Sequence, residues 1–182
     1  ALFADRAPEV ALNLHVGGMP AIERGLMDGR FQVGILPTHR SSQSLVYETL
    51  FGEDMRLYAG ASHPLFAADH AALDWDALRA WPFAGLGYHS PNMALAHGRR
   101  LPRAATAFEQ EAIATLILSG AFLGFLPDHY AQSFVRAGQM RAVDAAVFRY
   151  TCQFFAIARR SPQAARATQA FLECLMQAHR NQ

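Results

Sequence analysis

The sequence predicts an α/β protein built as two Rossmann-like lobes joined by two crossover segments. Three observations carry this. First, two stretches read as versions of one structural sentence, residues 29–37 (Gly-Arg-Phe-Gln-Val-Gly-Ile-Leu-Pro) and residues 120–127 (Gly-Ala-Phe-Leu-Gly-Phe-Leu-Pro). Each follows a helix-like segment, opens on a glycine break, and runs through a short apolar stretch with an internal Gly. Each closes on a proline that cannot continue a ladder. Second, helices alternate with strands along the chain, which predicts a mostly parallel sheet. Third, the segments around 57–61 and 145–158 fall where the chain passes between lobes. Lobe one is expected over residues 1–58 and 146–182, and lobe two over 59–145.

The elements follow in order. Residues 2–6 read as a helix ended by Pro8. Residues 10–16 alternate, with Val10, Leu12, Leu14 and Val16 on one face, and predict a strand. Gly17 and Gly18 close it. Met19-Pro20 opens a helix with proline in its first turn; Ile22, Leu26 and Met27 form its stripe, and Asp28-Gly29 stops it. Residues 33–36 are the next strand. Residues 45–50 and 55–61 predict two strands separated by a turn at Gly52-Glu53-Asp54. Asp74 can cap a short helix through residue 78. Residues 82–86 are a short strand, followed by a loop at 87–91 leading towards a helix near Met93. Residues 104–108 are extended, and 109–118 form an apolar helix ended by Ser119-Gly120. Residues 122–126 are a buried strand, with Phe122 and Phe125 in the core. A helix over 128–135, a turn and short strand over 138–143, and a strand over 150–158 that buries Phe154 and Phe155 follow. The last helix comes after Ser161-Pro162 and turns Ala165, Thr168, Phe171, Leu172 and Leu175 inward.

Composition narrows the function. The chain has 182 residues, is 52% hydrophobic and 17% charged, and carries a net charge of +1. It is apolar enough to fold, and it has no basic run that would mark a DNA-binding surface. Arg99, Arg100 and Arg103 read as a solvated loop. Cys152 and Cys174 lack metal-ligand spacing and read as buried free thiols in a reducing, cytoplasmic setting. No apolar run reaches membrane-spanning length, and no signal peptide opens the chain. The chain begins inside a helix without Met, which points to a piece of a longer protein. Catalytic signals are weak: there is no Gly-x-Ser-x-Gly elbow, and Ser90 stands where the third Gly of a Gly85-Leu86-Gly87 dinucleotide pattern belongs. The eight histidines are scattered. No cofactor and no metal are expected.

Residues 8–10 (Pro-Glu-Val) with the alternating strand, then Asp28-Gly29, residues 33–37, and residues 58–65 (Tyr-Ala-Gly-Ala-Ser-His-Pro-Leu) resemble the effector-binding domain of LysR-type transcriptional regulators. So do residues 112–116 followed by Ser119-Gly120, Gly124 and Leu126-Pro127, and the closing helix after residues 159–162. The order and spacing of these pieces, more than any one of them, carry the resemblance. It implies a periplasmic-binding-protein type II-like fold and a ligand-sensing, non-catalytic domain. It also implies that the family's winged helix-turn-helix, its linker helix and the domain's first strand lie before Ala1. DNA is then engaged only through that absent N-terminal part, and no membrane is involved.

Carried over residue by residue, the resemblance places the ligand cleft at loops containing Gly18 and Met19, then Pro37, Thr38 and His39, then Tyr88, His89 and Ser90, and then Phe108 and Glu109, with Pro127 nearby. The residues agree on their own terms. Each loop follows a predicted strand, and several precede helix N-termini whose free amides can hold an anion. Thr38, His39, His89 and Ser90 offer hydrogen bonds, and Met19, Tyr88 and Phe108 offer apolar walls. That mixture suits a small organic effector, an organic acid or an aromatic. The resemblance further implies a homodimer or tetramer, in which the helix over 20–27 and the strand over 10–16 meet the helix over 109–118 of a second copy. A periplasmic solute-binding protein and a small bilobal α/β enzyme are the alternatives.

Overall fold

The computed structural model describes residues 1–37, 41–87, 98–144, 146–162 and 164–179. The chain divides into two compact units, residues 1–52 with 153–182, and residues 53–152. The divisions fall at 52/53 and 152/153, inside two long strands.

In the first unit, α1 (Leu2–Arg6) buries Phe3, whose ring meets Phe171 of α5 (Arg166–His179) edge-on at 5.2 Å. Ala7 and Cys174 complete that small cluster. Helix α2 (Met19–Met27) buries Ile22 and Leu26, while Met27 is 48% exposed and lies off the stripe. Strand β1 (Val33–Pro37) pairs antiparallel with β7 (Arg149–Arg159), Val33 opposite Ala158 and Pro37 opposite Phe154.

The predicted strand over 10–16 is not one. The segment has no regular secondary structure, no described strand pairs with it, and Leu12, Leu14 and Val16 are 57%, 88% and 81% exposed. Alternation sets which face a strand would bury, whereas a ladder partner decides whether the strand forms. Residues 10–17 and β1 line a groove of about 660 Å³.

In the second unit, strands β3 (Phe83–Leu86) and β4 (Arg103–Ala107) are parallel, and β5 (Leu123–Pro127) runs parallel to β3 on its other side. Strand β2 (Leu45–Gly60) pairs antiparallel with β5 and with β6 (Met140–Ala142). Helix α3 (Gln110–Leu118) buries Ile113, Ala114 and Ile117, and α4 (Asp128–Arg136) buries Ala131. Together with Tyr58, Leu126 and Met140 these residues form the core.

Further expectations are corrected. The sheet is mixed rather than mostly parallel, because β2 and β7 are long strands that run antiparallel to the strands beside them. The turn expected at Gly52-Glu53-Asp54 is absent: β2 runs unbroken from Leu45 to Gly60. Its acidic residues find partners in β7 and in α4, since Thr151 donates to Asp54 at 3.3 Å and His129 lies 3.8 Å from Glu53. The short helix after Asp74 is a 3-10 turn over Ala77–Ala80, with the Asp74 carboxylate accepting the Ala77 amide at 2.7 Å. The helix expected near Met93 lies outside the described residues. Phe125 is buried, whereas Phe122, Phe154 and Phe155 are half-buried; Phe154 stacks on Phe51 at 5.1 Å.

The repeated sentence has the same mechanics both times. Gly29 and Gly120 adopt φ of +76° and +75°, the left-handed region in which a side chain is strained. The internal glycines let a helix sit down on the strand. A Cβ on Gly34 would lie 2.9 Å from Leu26 of α2, and one on Gly124 would lie 2.9 Å from Ile117 of α3.

Candidate functional site

The second unit gathers one group of the expected residues. Strands β3, β4 and β5 share a direction, so Leu86, Ala107 and Pro127 end on the same edge of the sheet. In α/β sheets that edge is where ligands bind. The Gly87 amide donates to the Ala107 carbonyl at 2.8 Å and extends the register one residue past β3. Phe108 then turns outward and is 62% exposed. Its ring occupies the space above Gly87, where a Cβ would fall 2.5 Å from it. Any other residue at 87 displaces that ring.

Glu109 stands at the N-cap of α3 with extended φ and ψ of −129° and 149°, but its side chain caps nothing. The carboxylate is exposed, and the first-turn amides of α3 carry no side-chain cap. Such a helix start favours negative charge. Gln110, one residue on, holds its Oε1 buried without a hydrogen-bond partner among the described residues. Sequence reading passed over Gln110 and gave Gly87 no role of its own. Only the ring position of Phe108 reveals the second.

Pro127 is buried and passes directly into α4. The helix start there is already occupied: Tyr58 donates to Asp128 at 2.8 Å, and Arg56 lies 3.3 Å from the other carboxylate oxygen. Burial first, then the bond to Asp128, pushes the Tyr58 phenol well above its ordinary value, so it stays a donor. Asp128 is an internal anchor, and Pro127 carries the strand into it.

Beyond that edge lies Glu53, whose carboxyl is pushed up by burial and drawn partly back by His129. Burial, and then the Glu53 charge, push the Cys152 thiol up to about 12. That value leaves it protonated at neutral pH, an inert packing group and not a nucleophile.

The first unit holds the remaining described residues. Gly18 is the N-cap of α2, with φ −61° and ψ 147°, and its carbonyl accepts the amides of Ala21 and Ile22 at 2.9 and 3.2 Å. Met19 is only 5% exposed and anchors the helix from below. Pro37 ends β1 half-buried. A short turn joins α2 to β1, and Ile22 and Leu26 lie over Gly34, so helix and strand run back to back. Gly18 therefore stands towards the Pro37 end of β1. The loop before α2 does not follow a strand, contrary to expectation, since residues 10–16 are unpaired. Thr38, His39, Tyr88, His89 and Ser90 lie outside the described residues. No cluster of His, Cys, Asp and Glu suited to a metal occurs among the described residues. No helix there is long and apolar enough to cross a membrane.

Relatives share both sequence and fold. The HTH-type transcriptional activator BauR of Pseudomonas aeruginosa is 31% identical over 170 residues, which are 93% of this chain and 56% of BauR. The chain thus spans about half the length of that relative. Among solved structures, the effector binding domain of QuiR in complex with shikimate superposes with a TM-score of 0.82 at 12% identity, over 98% of this chain and 87% of that one. The regulatory domain of CcmR from Synechocystis PCC6803 in complex with 2-PG gives 0.77 at 20% identity, over 98% and 88%. These likenesses show the mixed α/β fold of the periplasmic-binding-protein type II kind. The LysR substrate binding domain matches residues 1–180, a transcription-regulator domain and not an enzyme class, and the chain belongs to that family.

Proposed function

We propose that this chain is the sensing part of a LysR-type regulator and that a small organic effector, an organic acid or an aromatic, controls how the full-length protein engages DNA in the cytoplasm. The family match over residues 1–180 carries this reading. The uncapped start of α3 and the exposed Phe108 ring beside Gly87 support the choice of ligand, an anionic group with an apolar body. The residues proposed to meet it are Gly18, Met19, Pro37, Thr38 and His39 of the first unit, and Tyr88, His89, Ser90, Phe108, Glu109 and Pro127 of the second. The solute-binding and enzyme alternatives are not favoured.

The effector acts by stabilising one arrangement of the protein over another, which requires different affinity for the two. The protein works as a homodimer or tetramer. The exposed Leu12, Leu14, Val16, Met27 and Leu118 supply apolar surface for a second copy, with α2 of one copy meeting α3 of the next. Light scattering at about tens of micromolar, where weak interfaces still fill, should return a dimer mass; a strict monomer contradicts it.

The test of the site is calorimetry on the native chain and single variants, using a ligand found by thermal shift. Thr38→Ala and Ser90→Ala should each weaken binding by about 0.5–2 kcal/mol, the range for one lost hydrogen bond. Unchanged affinity in both variants moves the site elsewhere.

A further inference from the structure

Two histidines of the second unit are buried far into the backbone and belong to no part of the candidate site. His63 is 3% exposed and His70 is 8% exposed. The Nδ1 atom of His63 accepts the Leu65 amide at 3.1 Å, and its ring lies 5.0 Å from Trp81, centroid to centroid. The Nδ1 atom of His70 accepts the Asp144 amide at 3.1 Å, while its Nε2 lies 2.7 Å from the Leu65 carbonyl. A ring nitrogen that accepts a backbone N–H carries no proton, so the geometry assigns both rings to the neutral tautomer protonated at Nε2.

His70 therefore ties together two parts of the chain 74 residues apart. Arg141 of β6 reinforces the tie by donating to the carbonyls of Phe66 and Ala68 at 2.8 and 3.2 Å. Asp144 has φ +33°, and its carbonyl accepts the amides of Val147 and Phe148. That turn feeds β7. The Phe148 carbonyl in turn accepts the Leu57 amide of β2 at 3.0 Å.

We propose that residues 61–73 form a proton-operated clasp, in which protonation of His63 and His70 at Nδ1 removes both backbone acceptors, frees the segment from the Asp144 turn and loosens the start of β7. The charged groups bonded to this segment and to the turn it meets are Arg141, on the Phe66 and Ala68 carbonyls, and the carboxylates of Asp144 and Asp69. Those carboxylates already accept the amides of Ala146 at 3.3 Å and Ala71 at 3.0 Å. His63 faces Trp81, and its Nε2 is buried without a hydrogen-bond partner among the described residues. Burial holds His63 below its ordinary value. Its contribution is therefore complete above the unfolded value near 6.5 and is lost as pH falls below it.

Hydrogen exchange tests the clasp, with rates corrected for the intrinsic effect of pH. Peptides covering 61–73 and 140–149 are compared with a reference covering 110–127, at about pH 7.5 and about pH 5.5, either side of the ordinary imidazole value. Protection of the first two should fall by roughly tenfold, equivalent to about 1.4 kcal/mol, while the reference holds. In the double variant His63→Asn/His70→Asn, whose amide oxygens accept without titrating, the pH dependence should vanish. Equal protection at the two pH values overturns the proposal. So does a loss shared by the reference peptide, or the same loss in the double variant. Imidazole nitrogen spectra of the native chain at about pH 7.5 provide a check that needs no variant. Both rings should carry their proton on Nε2, and a proton on Nδ1 of either ring overturns the clasp.

Discussion

A Cβ on Gly60 would lie 2.1 Å from the carbonyl oxygen of Ile117. Backbone cannot rotate away as a side chain can, so Gly60→Ala should cost about 3 kcal/mol, the upper range for overpacking. Gly98, with nothing within 4 Å of the same position, is the control. Gly98→Ala should move stability by less than about 1 kcal/mol. Urea midpoints of the two variants decide it. Tyr58→Phe removes a buried donor from Asp128 and should cost about 1.5–3 kcal/mol, as for a hydrogen bond to a charged acceptor. Glu53 gives a pH signature. Its folded-state value is raised, so between the ordinary value and the raised one the folded chain keeps a proton that the unfolded chain releases. Stability therefore falls as pH rises through that window. Glu53→Gln should flatten this fall and raise the melting temperature at neutral pH; an unchanged pH profile contradicts it. At this scale the sequence announced Gly34, Gly124 and the Leu-Pro ends, because breakers punctuate locally. It gave no packing role to Gly60 or Gly87 and no acceptor role to His63 or His70, because those roles show only in the folded contacts.

Residues 10–16 and α3 show why some elements were legible and others were not. The helix over 109–118 was readable because an apolar nine-residue stretch between breakers has one cheap solution, and the structure places it over Gln110–Leu118. The alternation at 10–16 was equally clear, yet no described strand pairs with it, and alternation alone closes no hydrogen bonds. In the dilute, monomeric chain the amides of 10–16 should exchange without protection, while those of β1 facing β7 are protected. Leu14→Ser, at a residue 88% exposed, should change the stability of the monomer by less than about 0.5 kcal/mol. Ile117→Ala, at a residue 0% exposed, should cost about 2–5 kcal/mol. Strand β2 failed in the opposite sense. Gly52-Glu53-Asp54 has the composition of a turn, but a long strand tolerates it where His129 and Thr151 meet the acidic groups.

For the molecule as a whole, the order of helices and strands and the repeated Leu-Pro sentence were enough to reach the α/β fold, and the ordered motifs at 8–10, 33–37, 58–65 and 112–127 carried the resemblance to the family. The direction of the sheet was not legible, since parallel and antiparallel neighbours leave the same apolar run in a buried strand. The central claim is that a small effector binds at the strand ends that carry Gly87, Phe108, Glu109 and Pro127. Amide chemical-shift mapping with a panel of small organic acids and aromatics tests it most directly. The account predicts that a binder shifts the amides of Gly87, Phe108 and the first turn of α3, and that Phe108→Ala weakens it. A panel without a binder, or a binder whose shifts cluster instead in the cavity of about 320 Å³ beside Glu48 and Arg159 in the first unit, would contradict it.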